Sequence, residues 1–511
     1  MRQQAQPLPD GRGSVSCDKD ATVGRGQEES FVATRIIGRI GLAVAVGIVV
    51  FQVLVPPPIG LADNGDFGKI SRKFDLRVPY DPSALPGSPY MHLRYQFIPE
   101  SHWKSGFHST ETLLVNAAVW LNRLITSDGT FDIRSLGVLH AILFLLAFAF
   151  FAPLTGAVRP VLQAVLLALA ILFFCDVMYS TYYNSFYMDA AAFVFLLLAL
   201  VFLARAVRPG GHGPADAWLA VLFSVLMLTA KTQHAILGIP LIVFVLWKRR
   251  AMWRRHVLLA SVLATALIAG AATYSLIDGT PPGYANPCLF NIIFATLLPT
   301  ADNPSAELTS LGLDDTYLEF MGMNSWAKEA PIMRQNYWAQ EFLSRTSFLT
   351  LARFYIVHPN RALFVAGAAL ESAARQLPAR QGLGEIGNYD ASAGYPPYAQ
   401  SGAFAMWSAA KRAVLGGYPW LYPVVFAIAV GIVAWAHPAG GVALGIMEAL
   451  EFGLSGMTDS VEVTRHLFLF NAIWDVTLFA AVCVLVLGLD ARLKRRAGNA
   501  SSFGREARAQ A

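Results

Sequence analysis

The sequence predicts an all-α integral membrane protein, built as a polytopic bundle of helices. Of its 511 residues, 55% are hydrophobic and 14% are charged, whereas roughly a quarter of the residues in a soluble domain are charged. About ten apolar stretches approach the length that a helix needs to cross the hydrocarbon core, which gives a range of roughly 9 to 13 spans. Lys and Arg cluster in short segments beside these stretches, as expected for loops that stay in the cytoplasm.

The chain opens with a polar, glycine-rich segment, residues 1–34, whose composition is typical of a disordered tail. The apolar stretches that follow are 36–55, 135–156, 161–179, 186–206, 218–230, 235–247, 256–277, 418–436, 441–456 and 467–489. If ten helices alternate, the basic clusters share one face: Arg159, Arg205 with Arg208, 248–255 and 491–511. That face is the cytoplasm by the positive-inside tendency. We therefore expect a multi-pass protein of the cell inner (plasma) membrane with both termini cytoplasmic.

This topology divides the chain after its tail into a transmembrane module, a large outer region, a second transmembrane module and a basic cytoplasmic tail. Their bounds are 35–277, 278–417, 418–490 and 491–511. Two long extracytoplasmic loops result, 56–134 and 278–417. The first contains an amphipathic helix at 112–125, whose polar interruptions favour a position along the membrane interface. The second is too long to be structureless; it contains helical segments at 348–357 and 361–375, and the sequence leaves open whether these cross the membrane.

The first outer loop begins with LADNGDFGKI, which places Asp63 and Asp66 around an Asn64–Gly65 turn. A membrane protein tolerates irregular polar backbone only outside the lipid or beside a water-lined cavity, so this pair of carboxylates faces water. The simplest interpretation is a solvated turn. The alternative is an acidic centre that faces both water and lipid-borne material.

Further polar residues collect on the predicted outer side. They are Asn184 and Asp189 in YYNSFYMDAAAF, Lys231 and His234 in AKTQHA, and Asp459, Glu462, Arg465 and His466 in TDSVEVTRHLF. Cations that only extend from helix ends towards water should occur on both faces. The outer face instead mixes acids, amides, histidines and cations, which suits a site that binds a phosphate and moves a proton. Anchoring at the interface is the competing interpretation for Lys231, Arg465 and the histidines.

This arrangement resembles the GT-C superfamily of integral-membrane glycosyltransferases, which take a sugar from a polyprenyl-phosphate carrier. The likeness covers most of 36–489: a first helix with its N-terminus inside, an acidic motif early in a long outer loop, interfacial helices, and basic residues on the outer side. The resemblance implies a cell-envelope transferase that moves the sugar to a glycan, lipid or protein acceptor on the extracytoplasmic face, with inversion. The net charge of +5 does not indicate a nucleic-acid partner.

The resemblance also implies roles for the outer polar residues. Asp66, or alternatively Asp63, takes the proton of the acceptor hydroxyl. The departing phosphate needs fixed cations or donors, for which the candidates are Lys231, His234, Arg465 and His466. Asp189, Asn184 and Glu462 complete the expected substrate-binding set. Mg²⁺ or Mn²⁺ could bridge Asp63 and Asp66, but two carboxylates are few ligands and no cofactor is firmly expected.

Two other functions compete with this interpretation. A transporter or flippase of lipid-linked glycans would place charges near the bilayer midplane and show related halves with broken helices, and the sequence has no such internal symmetry. A noncatalytic membrane assembly protein would bind envelope partners through its outer loops, and its function would not need Asp66.

Overall fold

The structure is a computed structural model that describes residues 17–56, 58–61, 63, 65–78, 91–98, 105–126, 128–208, 213–253, 255–375, 379–380, 384–385 and 404–509. The helices of the first half of the chain are α1 (Cys17–Leu54), α2 (Gly68–Ser71), α3 (Glu111–Ile125), α4 (Arg134–Phe151), α5 (Pro160–Phe174), α6 (Val177–Ser180), α7 (Asp189–Val207), α8 (Pro214–Leu228), α9 (Gly238–Met252) and α10 (Val257–Asp278).

The second half is also helical. Its α-helices are α11 (Asn286–Phe290), α12 (Pro304–Ser310), α13 (Asn336–Arg345), α14 (Phe348–Val357), α15 (Pro359–Arg375), α16 (Met406–Leu415), α17 (Leu421–Ala436), α18 (Pro438–Gly456), α19 (Val463–His466) and α20 (Phe468–Ala509). Among the described residues, Arg72–Phe74, Ala152–Ala157, Thr232–Leu237, Leu298–Thr300 and Asp315–Phe320 are 3₁₀ segments, and Asn291–Leu297 is π-helical.

The strands are short, and Leu76, Tyr95 and Phe131 of the first three belong to the same hydrophobic core as the bundle helices. β1 (Leu76–Arg77), β2 (Arg94–Phe97) and β3 (Thr130–Asp132) form an antiparallel sheet in which Tyr95 pairs with Phe131. β4 (Ala379–Arg380) and β5 (Gly384–Glu385) form a separate antiparallel pair. In the first sheet, β1 and β3 lie on either side of β2. The residues shortly after α2 therefore lie near the residues just before α4.

In the part of the chain that the structure describes, five helices are long and apolar enough to cross a membrane, by length and composition: Val32–Leu54, Arg134–Ala157, Asp189–Val207, Val257–Asp278 and Phe468–Arg495. Large apolar side chains cover the outer face of α10; Leu258 is 75% exposed and Leu259 is 61% exposed. Exposed apolar faces of this extent suit contact with lipid rather than water. The predicted all-α membrane fold is therefore confirmed.

Helix α7 lies at the centre of the bundle. It is buried on nearly every face, from Asp189 to Ala206, and it packs against α4 and α8. A helix that is apolar all round belongs inside a bundle, since no side of it needs water. Around it, α1 packs on α4 and α5, while α18 packs on α9, α17 and α20.

Each predicted apolar stretch contains a helix, but not every stretch is one unbroken span. The stretch 161–179 is interrupted after Phe174, where Asp176 caps the new helix α6 by accepting a hydrogen bond from the Met178 amide. The stretch 235–247 starts in a 3₁₀ turn, and α7 starts only at Asp189. A carboxylate cap inside an apolar run is a local signal that hydropathy averages out. The count of ten spans and the orientation remain predictions.

The segments predicted inside the loops have mixed outcomes. The helices expected at 112–125, 348–357 and 361–375 correspond closely to α3, α14 and α15. The disorder expected for residues 1–34 is wrong for 17–34, because α1 begins at Cys17; extending an existing helix adds a hydrogen bond per residue without a new nucleus. The first 16 residues lie outside the described chain.

Candidate functional site

The loop after α1 holds Asp66 in a fixed turn. The Asp63 side chain accepts hydrogen bonds from the amides of Gly65 at 2.7 Å and Phe67 at 3.0 Å, an Asx-type turn. Gly65 has φ +105°, a conformation that glycine adopts without steric cost. Asn64, the other residue predicted at the turn, lies outside the described residues. Asp63 therefore shapes the backbone that presents Asp66.

Asp66 contacts Arg465, which lies 399 positions further along the chain. Nη2 of Arg465 donates to Oδ2 of Asp66 at 2.6 Å and to Oε2 of Glu462 at 2.6 Å. The Arg465 side chain is only 6% exposed. Glu462 has φ +56°, an uncommon conformation for a non-glycine residue that costs free energy and concentrates at functional sites. The structure thus joins the first outer loop to the segment before α20.

A second cation, Lys69, holds the other oxygen of Asp66. Its ammonium group lies 2.6 Å from Oδ1 of Asp66, one helical turn away, and also donates to the Tyr284 hydroxyl. The same ammonium group lies 4.7 Å from the centre of the Tyr284 ring. On the other side, the Arg465 guanidinium stacks 4.8 Å from the Tyr187 ring. Aromatic faces therefore support both cations.

These contacts set the protonation states at the centre. Burial opposes ionisation of Asp66, but the charges of Arg465 and Lys69 outweigh it and hold the pKa of that carboxyl well below its usual range. Burial also lowers the pKa of Lys69, against the opposing pull of Asp66. Asp66 is consequently an anion between two cations, a state in which it is a weak proton acceptor.

Lys231 and Asp189 form the next pair. Nζ of Lys231 lies 2.9 Å from Oδ1 of Asp189, and the side chains are 12% and 1% exposed. Asp189 begins α7, where the positive end of the helix dipole favours a carboxylate. Lys231 has an extended backbone conformation and immediately precedes the 3₁₀ turn Thr232–Leu237. It therefore lies at a break between two apolar segments, next to Asp189.

His466 lies beside the cations. Its Nδ1 is 3.6 Å from Oδ2 of Asp459. The other oxygen of Asp459 accepts hydrogen bonds from the Ser460 amide, the Val461 amide and the Asn291 side chain. Burial lowers the pKa of His466 well below its usual range, and the charges of Lys231 and Arg465 act in the same direction. His466 is therefore a neutral imidazole at pH 7.

Two further predicted residues are buried in contacts with remote segments of the chain. His234 is fully buried, with Nδ1 3.1 Å from Oε1 of Glu451. Asn184 is also fully buried and donates to the carbonyls of Val53 at 3.0 Å and Ile59 at 2.7 Å. Asn184 thus links the end of α1 to the segment before α7.

The donor set does not fit a divalent cation. No group of three or more His, Cys, Asp or Glu residues that could hold a metal occurs among the described residues. Both oxygens of Asp66 face cations, which a metal ion would have to displace. Hard cations such as Mg²⁺ need several oxygen ligands in regular geometry.

Sequence reasoning missed Lys69 as a partner of Asp66 and Tyr284 as a partner of Lys69, and it named Asp459 without giving it a role. Lys69 had a usable signal, since it follows Asp66 by three residues at the start of a helix, a spacing that brings side chains together. Of the aromatic residues in the outer region, Tyr284 contacts the site, whereas Trp338 packs in an aromatic core with Phe290 and Phe342. No local pattern separates these two cases.

The fold and the polar cluster define the class of protein: an all-α integral membrane protein with a buried charged site at one end of its helices. A family model described as the YfdI N-terminal transmembrane domain matches residues 28–505. The chain belongs to this family. Comparison with curated proteins and with solved structures gave no match.

Proposed function

We propose that this protein is a membrane glycosyltransferase that moves a sugar from a polyprenyl-phosphate donor to a glycan, lipid or protein acceptor on the extracytoplasmic face. The contact of 2.6 Å between Arg465 and Asp66 carries the proposal. It unites an acidic loop after the first helix with a cation before the last one, in a buried polar site beside apolar helices. A lipid-linked anionic donor needs such a combination of surfaces.

The cations supply what phosphate departure requires. Arg465, Lys231 and Lys69 are each paired with a carboxylate, so they are held in place before a substrate arrives. Fixed cations in a site that excludes water stabilise charge that develops on a leaving group. The planar fork of Arg465 can grip two phosphate oxygens at once.

Inversion follows from the proposed chemistry. The acceptor oxygen attacks the anomeric carbon while the bond to the phosphate oxygen breaks, and polyprenyl phosphate leaves with the electron pair. A single displacement needs one proton acceptor and no covalent sugar–enzyme intermediate. As the proton acceptor the sequence predicts Asp66, with Asp63 as the alternative. One carboxylate oxygen of Asp63 accepts hydrogen bonds from the amides of Gly65 and Phe67.

Turnover in nanodiscs tests the proposal. Purified protein is given a polyprenyl-phosphate hexose and a glycolipid extract as acceptor, and release of polyprenyl phosphate is measured. We expect release that depends on the acceptor and falls strongly in Arg465→Ala. An Arg345→Ala variant is the control, because Arg345 is 40% exposed on the outer region. Absence of release from every hexose donor tried would reject the proposal.

A second candidate function, a transporter or flippase of lipid-linked glycans, is favoured by charges deeper in the bundle. Lys411 and Asp475 form an ion pair with 2% and 0% exposure, and Glu448 on α18 is buried as well. Ionisable residues inside a membrane bundle often mark a translocation path. Movement of an intact labelled lipid-linked glycan between leaflets, without release of polyprenyl phosphate, would favour this candidate.

A further inference from the structure

His466 and Asp459 form a dyad at the edge of the charged site. The carboxylate of Asp459 is fixed through one oxygen: Oδ1 accepts from the amides of Ser460 at 2.7 Å and Val461 at 3.0 Å. Its other oxygen, Oδ2, lies 3.6 Å from Nδ1 of His466. The backbone carbonyl of His466 accepts a hydrogen bond from Gln233 at 2.9 Å. The backbone of His466 is therefore held in place, and its ring lies beside an oriented carboxylate.

The His466 ring is not completely enclosed by the protein. Its side chain is 19% exposed, compared with 0% for His234. With Nδ1 turned to Asp459, Nε2 points the other way across the ring. A negative charge beside Nδ1 favours the tautomer that carries its proton there, which leaves the Nε2 lone pair available to accept another.

Asp66 is less suited to the same task. Its two oxygens lie 2.6 Å from Lys69 and 2.6 Å from Arg465. Taking a proton would remove the negative charge that holds both cations, at the moment when these cations are needed to stabilise the departing phosphate. Its position suits a residue that orients cations.

We propose that His466, oriented by Asp459, is the proton acceptor of the transfer reaction, and that Asp66 is a positioning residue for Arg465 and Lys69. This inference rests on the proposed glycosyl transfer. In the step, Nε2 of His466 takes the proton of the acceptor hydroxyl as its oxygen bonds to the anomeric carbon. The bond from that carbon to the phosphate oxygen breaks, and the electron pair leaves with polyprenyl phosphate. The imidazolium then returns its proton to water.

Burial and the charges around His466 determine the pH dependence. Burial disfavours the imidazolium most, and the charges of Lys231 and Arg465 act in the same direction, while Asp189 and Asp66 favour it. A carboxylate at Asp459, 3.6 Å from Nδ1, also favours it. The net shift is downward from the ordinary value of 6.5, so the acid limb of activity lies below that pH. Activity is present above the pKa of His466 and is lost as the pH falls through it, because the protonated ring cannot accept a proton.

Initial rates in nanodiscs across about pH 4.5 to 8 test the assignment. We expect His466→Gln to lower kcat by about 10²- to 10⁴-fold, to leave the donor KM nearly unchanged and to remove the acid limb. Asp459→Asn should move the acid limb to lower pH, because it removes the charge that stabilises the imidazolium. His437→Gln, at an exposed position between α17 and α18, is the control and should keep the wild-type profile.

The outcomes separate the inference from the proposed function. An acid limb that survives in His466→Gln but disappears in Asp66→Asn would overturn the inference while leaving glycosyl transfer intact. An unshifted limb in Asp459→Asn would also count against it, and this measurement remains decisive if His466→Gln does not fold. Wild-type protein without turnover would reject the transfer reaction itself.

Discussion

The ammonium group of Lys411 on α16 lies 3.0 Å from Oδ1 of Asp475 on α20, and both side chains are almost completely buried. Asp475 also accepts a hydrogen bond from the Tyr179 hydroxyl at 2.5 Å, and Lys411 reaches Oδ1 of Asn471 at 3.2 Å. The pair therefore docks an amphipathic helix from the outer region onto the transmembrane bundle.

Removing one partner of this pair should destabilise the folded protein. We expect Lys411→Met to lower the free energy of unfolding by about 3–5 kcal/mol, because it leaves an uncompensated carboxylate in the bundle. The double variant Lys411→Met with Asp475→Leu should recover most of that loss, since neither charge remains. Denaturant unfolding in detergent measures both, and Lys494→Met, at a side chain that is 56% exposed, is the control. Equal destabilisation by the single and double variants would contradict this account.

Close packing at Gly60 gives a second prediction. A Cβ at this position would lie 2.9 Å from the Asn184 carbonyl oxygen and would collide with Sδ of Met91. We expect Gly60→Ala to destabilise the protein by roughly 1–3 kcal/mol, the usual cost of overpacking. Gly47→Ala, where nothing lies within 4 Å of the added carbon, should be neutral or slightly stabilising. A change in melting temperature of the same size in both variants would show that Gly60 is not closely packed against Asn184.

Arg465 should contribute to donor affinity through geometry as well as charge. Loss of a charged hydrogen-bond donor costs about 1.5–3 kcal/mol, so Arg465→Ala should weaken donor binding by about 10- to 150-fold. Arg465→Lys should fall between wild type and alanine, because it keeps the charge but loses the planar fork. Titration with a non-transferable polyprenyl phosphate measures these affinities, and melting temperatures identify variants that bind poorly because they unfold. Unchanged affinity in folded Arg465→Ala would rule out the phosphate role.

The topology makes a fourth prediction. Residue 310, at the end of α12, and residue 250, in the last turn of α9, are both exposed. With residues 278–417 outside the cytoplasm, an impermeant thiol reagent should label Ser310→Cys on intact cells and Arg250→Cys only after permeabilisation. Both variants are made in a background without the four native cysteines. Labelling of both residues from the same side would contradict the predicted orientation.

The sequence was most informative where lipid is the solvent. Apolar runs located the helices, because a chain in lipid satisfies its backbone hydrogen bonds within each helix. Within the runs it was less informative: the break after Phe174 depends on a single capping carboxylate, Asp176, that hydropathy does not register.

For the site, the sequence indicated which short segments carry the chemistry but not how they pair. Asp66, Lys231 and Arg465 could be chosen from their position at the ends of apolar runs. Their partners depend on contacts between remote segments, such as Lys231 with Asp189 and His234 with Glu451. The two carbonyl partners of the buried Asn184 amide lie 131 and 125 positions away along the chain, and no local pattern indicates them.

The distance along the chain between Asp66 and Arg465 has a consequence for biosynthesis. A ribosome adds about 5–20 residues per second, so the 399 positions between them take about 20–80 s to make. During that interval the nascent acidic loop lacks its arginine counterion. The charged pair therefore forms only after the segment that carries Arg465 has been made and has folded against the loop after α1.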